Sequence, residues 1–338
     1  MTYETDLEYC HDAIKHGSLS FHAASKLLPR DVRESSLALY AFCRVADDEV
    51  DLKQDKVTAV QSLIDRVDCV YRGQPRNHPT DRAFAHIVDR HDMPRALPEA
   101  LLEGLAWDAM GHRYDSLNDL YGYSARVASA VGVMMCRIMN VRDRDTLARA
   151  CDLGVAMQLT NIARDIGEDA LERRLYIPQQ WFHDAGLDPE AFLDNPQPRQ
   201  VIRRMARRLL RDADRLYIRS NAGIAELPVR VRLAIFAARF IYAAIGDAIS
   251  QNGYDSITQR ARTSRLTKGL LVAKSAIYTG HSLIGPSCAM RYAPPLSETA
   301  FLVNAAADPA PQTKSWSDRF CDIMLDLKAQ DVSASPTP

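Results

Sequence analysis

Apolar residues recur every three or four positions along almost the whole chain of 338 residues, which is the spacing of one face of an α-helix. No run alternates apolar and polar residues as a half-buried strand does, so the expected fold class is all-α. The breaks between periodic segments coincide with Gly and Pro, as at Gly73 and Pro75. The predicted helices span residues 4–16, 18–28, 31–51, 56–72, 80–92, 97–112, 117–140, 145–172, 188–194, 197–226, 229–251, 264–284, 297–307 and 314–330.

The helical pattern continues without a segment that reads as a linker, so residues 1–330 are expected to form a single domain. Residues 331–338 are small, polar and Pro-containing, which predicts a disordered tail. The most apolar stretch, residues 233–249, is interrupted by Arg239 and Asp247. We interpret it as too short and too charged to span a bilayer.

Two pairs of aspartates stand out within the helical pattern. Asp47 and Asp51 are one helical turn apart, and so are Asp165 and Asp169. The chain holds 32 Asp against 11 Glu, and seven Asp pairs have this spacing, so the spacing alone is typical of a solvated helix face. The residues that surround these two pairs distinguish them from the other five.

Each pair lies on a polar stripe of an otherwise apolar helix. Arg44 shares the first stripe, and Gln158 and Asn161 share the second, while the surrounding residues are apolar or small. Such a stripe indicates burial against a polar cavity, where carboxylates need a cation to offset their desolvation. We therefore expect about two or three Mg²⁺ or Mn²⁺ ions that in turn hold a diphosphate. The expected metal ligands are Asp47, Asp51, Asn161, Asp165 and Asp169.

The basic residues near these pairs allow two interpretations. Arg44 either pairs with Asp47 or Asp48 along its own helix, or contacts a diphosphate oxygen through its forked guanidinium. Arg164 pairs with a carboxylate or with phosphate.

A diphosphate neutralised by cations is a good leaving group, because the cations balance the charge that develops as its bond to carbon breaks. The carbon left behind must be a stabilised cation in a cavity that excludes water, which indicates an allylic diphosphate.

Composition limits the other functions. A net charge of −1 gives no long-range attraction to nucleic acid, and none is expected as a partner. Seven cysteines without a CxxC, and an N-terminus without a signal peptide, predict a cytoplasmic protein. Basic runs at residues 203–211 and 260–268 are typical of solvated faces, or alternatively of a rim that contacts diphosphate or a membrane surface. Phosphate-loop, dinucleotide, zinc-protease and serine-hydrolase motifs are absent from the sequence.

Several runs resemble the squalene and phytoene synthases. The run YAFCRVADDEVD at residues 40–51 resembles the first signature of that family, and MQLTNIARDIGED at residues 157–169 resembles the second. GSLSF at residues 17–21 is similar to the N-terminal serine-rich element, and RLYIP at residues 174–178 is similar to the segment after the second signature. The resemblance runs from about residue 8 to residue 285.

This resemblance implies the class I isoprenoid synthase fold, a single helical domain around a central cavity. It implies head-to-head condensation of two geranylgeranyl diphosphates to phytoene through a cyclopropyl intermediate, the first committed step of carotenoid biosynthesis, without NADPH. It also implies transient contact with a membrane or with a downstream desaturase. The implied catalytic residues are Asp47, Asp51, Asp165, Asp169 and Arg44. The implied substrate-binding residues are Ser20, Phe21, Tyr40, Arg44, Gln158, Asn161, Arg164, Arg174 and Tyr254.

The chain departs from the family pattern at one place. Ala125 and Arg126 stand where many relatives carry aromatic residues, and Ser129 stands where they carry Gly. Tyr123 is consequently the candidate for orienting the intermediate or for taking part in deprotonation. The small residues Ala23, Ala24 and Ser25 that follow Phe21 favour a pocket for a C20 chain.

Three alternatives remain open at this point. A squalene, dehydrosqualene or hydroxysqualene synthase would use farnesyl diphosphate in the same kind of site. Head-to-tail elongation is less favoured, because the second site lacks a doubled Asp. A non-catalytic assembly factor would keep the helical fold, but such relatives typically lose the acidic pairs that this chain retains.

Overall fold

The computed structural model describes residues 3–16, 24–52, 55–284 and 288–308, with the side chains of residues 13–16 and 51–52 outside the description. Within those ranges the chain is helical and forms no strand, which confirms the all-α prediction. The α-helices are α1 (Tyr3–His16), α2 (Arg30–Leu52), α3 (Lys56–Tyr71), α4 (Pro79–Arg90), α5 (Ala96–Ala109), α6 (Leu117–Ser124), α7 (Ala130–Ile138), α8 (Arg144–Leu171), α9 (Gln179–Asp184), α10 (Pro189–Asp194), α11 (Gln200–Ile224), α12 (Val229–Gln251), α13 (Arg265–Ile284) and α14 (Ala300–Ala306).

The helix predicted at residues 117–140 is wrong in one respect, because a π-helical turn at Ala125–Ser129 separates α6 from α7. Short 3₁₀ turns at Ala289–Tyr292 and Ser297–Thr299 precede α14. The predicted helix at residues 314–330 lies outside the described residues. The predicted helix at residues 18–28 lies largely outside the described residues, and the short helix α9 (Gln179–Asp184) was not predicted. The other helices begin and end within about three residues of the sequence-based boundaries.

The chain divides into two compact units, Met1–Ala306 and Ala307–Pro338, and the second lies almost entirely outside the described residues. The prediction of one domain to residue 330 with a tail at residues 331–338 therefore stays a prediction. Every helix bounded above belongs to the first unit.

Helix α8 is the central helix of the first unit. Asp143 caps its N-terminus by accepting a hydrogen bond from the Thr146 amide at 2.9 Å. Sixteen of its 28 residues are buried, so it is apolar on most sides rather than along one stripe. It packs against α11, α12, α7 and the π-helical turn. A helix enclosed in this way can present one face to an internal cavity over its whole length.

Helix α12 is long and apolar enough to cross a membrane, with a mean hydropathy of 1.5 over its most apolar window. It has 23 residues and is therefore longer than residues 233–249, the stretch that we interpreted from the sequence as too short to span a bilayer. Its buried residues, Phe240 and Ile245 among them, pack inside the protein, as in the core helix of a helical domain. Length and composition alone therefore do not make α12 a membrane span.

The π-helical turn lies directly against α8 at Gly154. A Cβ atom on Gly154 would come within 2.6 Å of the Ser129 Cα and 2.7 Å of its amide nitrogen. The Ser129 hydroxyl donates to the Cys151 carbonyl at 2.8 Å across the same contact. Only a residue without a side chain allows this approach, so glycine here is a packing requirement.

Gly154→Ala is expected to destabilise the protein by about 1–3 kcal/mol, because backbone rather than a flexible side chain must move. Chemical denaturation measures the change. Gly269, on α13, has no atom near its Cβ position, so Gly269→Ala is the matched control and should raise stability by about 0.5–1 kcal/mol. An unchanged unfolding midpoint for Gly154→Ala would contradict the close packing of the two helices.

Candidate active site

A largely apolar cavity of about 350 Å³ lies along one face of α8. Thr146 and Asn161 both line it, and fifteen residues of helix between them correspond to a length of about 22 Å. Residues of α2, the π-helical turn, α7, α11 and α12 complete the wall. The cavity has the size and apolar lining of a small-molecule site. Its length along α8 suits an extended hydrocarbon chain.

Polar residues predicted from the sequence lie at one end of this cavity. Tyr40 of α2 and both Gln158 and Asn161 of α8 line it, so the structure brings these three residues to one cavity, and their roles there stay predictions. Ser25 also lines the cavity and is 3% exposed. Asp165 follows Asn161 by one helical turn on α8, and Asp47 follows the lining residue Cys43 by one turn on α2.

Asp47, the member of the first acidic pair whose side chain is described, is held by an arginine of its own helix. The Arg44 guanidinium lies 3.3 Å from an Asp47 carboxylate oxygen and 2.5 Å from one of Asp48, and all three side chains are about half-exposed. The interpretation of Arg44 as an intrahelical ion-pair partner is therefore confirmed. Glu49 faces elsewhere and accepts from buried Arg66 at 3.0 Å, which leaves it outside the site.

The second acidic motif is held by two arginines. Arg164 donates through Nε to Asp165 at 2.8 Å, and Arg260 donates through Nε to the same Asp165 oxygen at 3.0 Å. Arg260 also pairs with Glu168 at 3.2 Å. The loop that carries Arg260 is fixed on α8, because the Gly167 amide donates to the Ser256 carbonyl at 3.0 Å. Arg260 was noticed in the sequence only as part of a basic run.

Asp169 has a different environment, although it is one turn from Asp165. Burial, reinforced by the charge of Asp165, raises the pKa of Asp169 to about 8, while Arg174 partly opposes this shift. The Arg174 guanidinium also lies 3.3 Å from Glu172. A cation bound beside Asp169 would lower this pKa further, because it favours the charged form of the carboxyl group. Asp108 adds to the negative charge around Asp169.

Asp108 is the centre of a cluster that sequence reasoning missed. Tyr123 donates its hydroxyl to one Asp108 oxygen at 2.6 Å, and Tyr176 donates to the other at 2.9 Å. The two rings stack with centroids 5.1 Å apart, and Tyr114 packs beside both. Burial raises the pKa of Tyr123 and of Tyr176 far above their usual range, so both keep their protons. Tyr123 is thus a hydrogen-bond donor to Asp108, which argues against its acting as a base.

The opposite end of the cavity is closed by a buried charged cluster. Arg149 lines the cavity, is fully buried and pairs with Asp152 at 2.9 Å, while Arg219 reaches the same Asp152 oxygen at 3.0 Å. Gly223 packs against Arg149 so closely that a Cβ there would lie 2.2 Å from the Arg149 Cβ. Nothing in the sequence signalled this end wall, because the spacing of Arg149 and Asp152 is an ordinary helical pair.

Tyr254 does not line the cavity, in contrast to Tyr40. It has a φ of +60° at the end of α12, accepts from the Ser250 hydroxyl at 2.9 Å and has Arg207 5.9 Å above its ring. Its contact with diphosphate stays a prediction. Ser20 and Phe21, and the side chain of Asp51, lie outside the described residues, so their assigned roles also stay predictions.

Within the described side chains, no three His, Cys, Asp or Glu residues are grouped closely enough to ligate one metal ion. The donors present still fit magnesium, which takes one or two carboxylates per ion and completes its shell with water and phosphate oxygens. Asp165 and Asp169 offer two carboxylates one turn apart, and Asn161 offers a neutral oxygen. Burial and the charge of Asp165 raise the pKa of Asp169, and a cation bound beside it would offset both effects.

Comparison with known proteins agrees with this arrangement. The model of the squalene/phytoene synthase family matches residues 14–267. A phytoene synthase of Cereibacter sphaeroides is 55% identical, with 99% of this chain and 97% of the relative covered. A phytoene synthase of Rhodobacter capsulatus is 52% identical, with 98% of each covered.

Solved structures give the same result for the fold. A dehydrosqualene synthase in complex with a ligand superposes with a TM-score of 0.76 at 29% identity, over 82% of this chain and 98% of that structure. The squalene synthase HpnC from Alicyclobacillus acidocaldarius, at 23% identity and a TM-score of 0.69 over 75% and 96% of the two chains, shows the fold alone. The isoprenoid synthase fold expected from the signatures is thus confirmed, and the chain belongs to the squalene/phytoene synthase family of enzymes.

Proposed function

We propose that this chain condenses two molecules of geranylgeranyl diphosphate head to head and releases phytoene and diphosphate. The observation that carries the proposal is the long apolar cavity that ends at Gln158 and Asn161, one helical turn before Asp165. An apolar chain and a diphosphate would occupy adjacent parts of one site. The two relatives reported above with more than half of their residues identical are phytoene synthases, which supports the same reaction.

The residues at and beside the polar end of the cavity would carry the chemistry. Asp47, Asp51, Asp165 and Asp169, with Asn161, would hold about two or three Mg²⁺ or Mn²⁺ ions. When bound, the ions supply charge that stabilises the departing diphosphate. Arg44, Arg164 and Arg260 already contact these carboxylates, and they can pass to diphosphate oxygens when a cation takes their place. Gln158 can orient a phosphate oxygen by donating a hydrogen bond.

The reaction needs no external reductant. The C1–O bond of one substrate breaks, and the double bond of the other attacks the allylic cation. Loss of a proton closes a cyclopropane, and ionisation of this second diphosphate is followed by rearrangement and loss of another proton. The apolar wall excludes water, which would otherwise trap either cation. Reduction of the rearranged cation, as in squalene formation, would require NADPH.

The direct test is incubation of the purified protein with geranylgeranyl or farnesyl diphosphate, with Mg²⁺ or Mn²⁺, and with or without NADPH. Chromatography with mass spectrometry then identifies the hydrocarbon. We expect phytoene from the C20 substrate, with no dependence on NADPH. Squalene or dehydrosqualene from the C15 substrate as the main product would replace the proposal, and no turnover under any condition would refute an enzymatic role.

Ser25 offers a prediction about chain length. It is buried and lines the cavity, as Ala24 and Tyr40 do, so a larger side chain there would take up space that a C20 chain needs. Ser25→Phe is expected to shift the ratio of kcat/KM toward farnesyl diphosphate by about ten-fold or more, because a pocket discriminates by 1–3 kcal/mol for each methylene that no longer fits. Competition between the two substrates measures the ratio. Ser25→Ala is the control and should leave it unchanged, whereas an unshifted ratio in Ser25→Phe would remove Ser25 from the chain-binding wall.

A further inference from the structure

Helix α13 exposes a continuous apolar stripe. Leu266, Leu270, Ile277 and Ile284 are each at least 65% exposed. At 100° per residue these four side chains fall within about 40° of one another around the helix. They extend over about 27 Å of its length. Isolated exposed apolar residues are ordinary, but four on one line form a surface that water solvates poorly.

The opposite side of α13 fixes the helix to the protein. Tyr278 packs edge-to-face on Phe240 of α12, with centroids 4.8 Å apart, and the Lys274 amine lies 4.6 Å above the same ring. Arg232 donates to the Ser282 carbonyl at 3.0 Å near the end of α13. Ser275 is the buried residue of this helix, and it lies almost directly opposite the stripe. The stripe therefore faces outward on an anchored helix.

The stretch of chain that contains α13 carries basic residues but no acidic ones. Residues 256–284 contain no Asp or Glu, in a chain whose net charge is −1. Arg262 and Arg265 are exposed at the start of α13. The basic residues of the stretch are Arg260, Arg262, Arg265, Lys268 and Lys274. An amphipathic helix with an exposed apolar face and basic neighbours is the pattern of a helix that lies in a membrane interface.

We propose that α13 docks this protein on an anionic lipid bilayer, with the stripe inserted among the acyl chains and Arg262 and Arg265 against the headgroups. A second copy of the chain fits less well, because stripe-to-stripe association would bring two basic regions together without acidic partners. The position is also suitable for product transfer, a point that rests on the proposed function. Helix α12 lines the cavity through Ala234 and Ala238 and carries α13 through Phe240.

The test is co-sedimentation of the full chain with vesicles of phosphatidylcholine alone or mixed with phosphatidylglycerol. We expect binding to the mixed vesicles that weakens with salt. The double variant Leu270→Glu/Ile277→Glu should bind at least about ten-fold more weakly, since each buried aliphatic side chain is worth more than 1 kcal/mol. Arg262→Glu/Arg265→Glu should lose at least about five-fold per charge, from roughly 1 kcal/mol for each basic residue.

Val57→Glu is the matched control, because Val57 is similarly exposed but lies on α3, outside the stripe. It should bind vesicles as the unmodified chain does. Circular dichroism, and turnover in detergent solution, should be unchanged in all variants. Full binding by Leu270→Glu/Ile277→Glu would overturn the proposal. A second outcome would also overturn it. If the unmodified chain does not bind vesicles, and light scattering shows a dimer that Leu270→Glu/Ile277→Glu dissociates, the stripe is a contact between two copies of the chain.

Discussion

Replacement of Asp165 by Asn is expected to lower turnover by at least about 10²–10³-fold, the cost of removing one preorganised electrostatic group from a site of charge development. The amide keeps the shape of the side chain but not its charge. Cations would be held less well, and Arg164 and Arg260 would lose the carboxylate on which both now converge. Steady-state kinetics with the diphosphate substrate measures the change.

The fold should survive this substitution, because an Asn oxygen can still accept from either arginine. The unfolding midpoint of Asp165→Asn should therefore remain near that of the unmodified protein. Asp184→Asn is the matched control, since Asp184 belongs to another pair with four-residue spacing but is exposed, whereas Asp165 is partly buried and contacts Arg164 and Arg260. It should leave turnover unchanged. Near-normal turnover in Asp165→Asn would remove Asp165 from the site.

Helical periodicity predicted most of the fold because this chain is built from long helices with short connections. The bounds of α12 at residues 229–251 agree with the pattern to the residue. The π-helical turn at Ala125–Ser129 could not be predicted in this way. One extra residue in a turn leaves the apolar spacing almost unchanged. The turn packs closely on Gly154 through Ser129, and the spacing does not reveal this contact between segments distant in sequence.

Helical geometry also selected the residues at the polar end of the cavity. Gln158 and Asn161 line the cavity, and Asp165 follows them on α8, because residues three and four apart share a face. The partner of Asp165 was harder to find. Arg260 is 95 positions away, and the signal available was a basic run that is equally typical of a solvated surface. Pairing across such distances depends on how loops fold back on a helix.

The cluster around Asp108 was missed for a related reason. Asp108, Tyr123 and Tyr176 come from three different segments, and each has an ordinary place in its own local pattern. The sequence singled out Tyr123, but as a candidate for orienting the intermediate or for taking part in its deprotonation. Its buried position and its hydrogen bond indicate a fixed donor to Asp108, and Asp108 is the group whose charge acts on Asp169.

Because Asp165 and Asp169 have different surroundings, replacing Asp169 is expected to change the stability of the protein, whereas replacing Asp165 is not. Asp165 has two guanidinium partners, whereas burial and the charge of Asp165 raise the pKa of Asp169 to about 8. When the folded state raises the pKa of an aspartate, that group contributes to the free energy of unfolding. The contribution is complete at pH values below the pKa of the unfolded chain, which is about 4. This contribution to stability is lost as pH rises toward 8, because the unfolded chain then releases the proton more readily than the folded one.

Asp169→Asn is therefore expected to stabilise the metal-free protein at pH 8 by about 1–3 kcal/mol, the usual penalty of a buried group without adequate partners. The gain should shrink toward pH 4, where the unmodified side chain is protonated in the folded state. Turnover should fall by orders of magnitude in the same variant, because a neutral amide replaces a carboxylate that the cations require. Denaturation in the presence of a chelator, repeated across this pH range, measures the stability difference.

Asp165→Asn supplies the comparison, since it removes a paired carboxylate and should bring no such gain. Equal stability of Asp169→Asn and the unmodified protein at every pH would contradict the description of Asp169 as a carboxylate held in an unfavourable position. A gain in stability together with a loss of turnover would instead identify Asp169 as a group maintained for function at the expense of the fold. Perturbed groups of this kind concentrate at active sites, where the bound ligand supplies the charge that the protein omits.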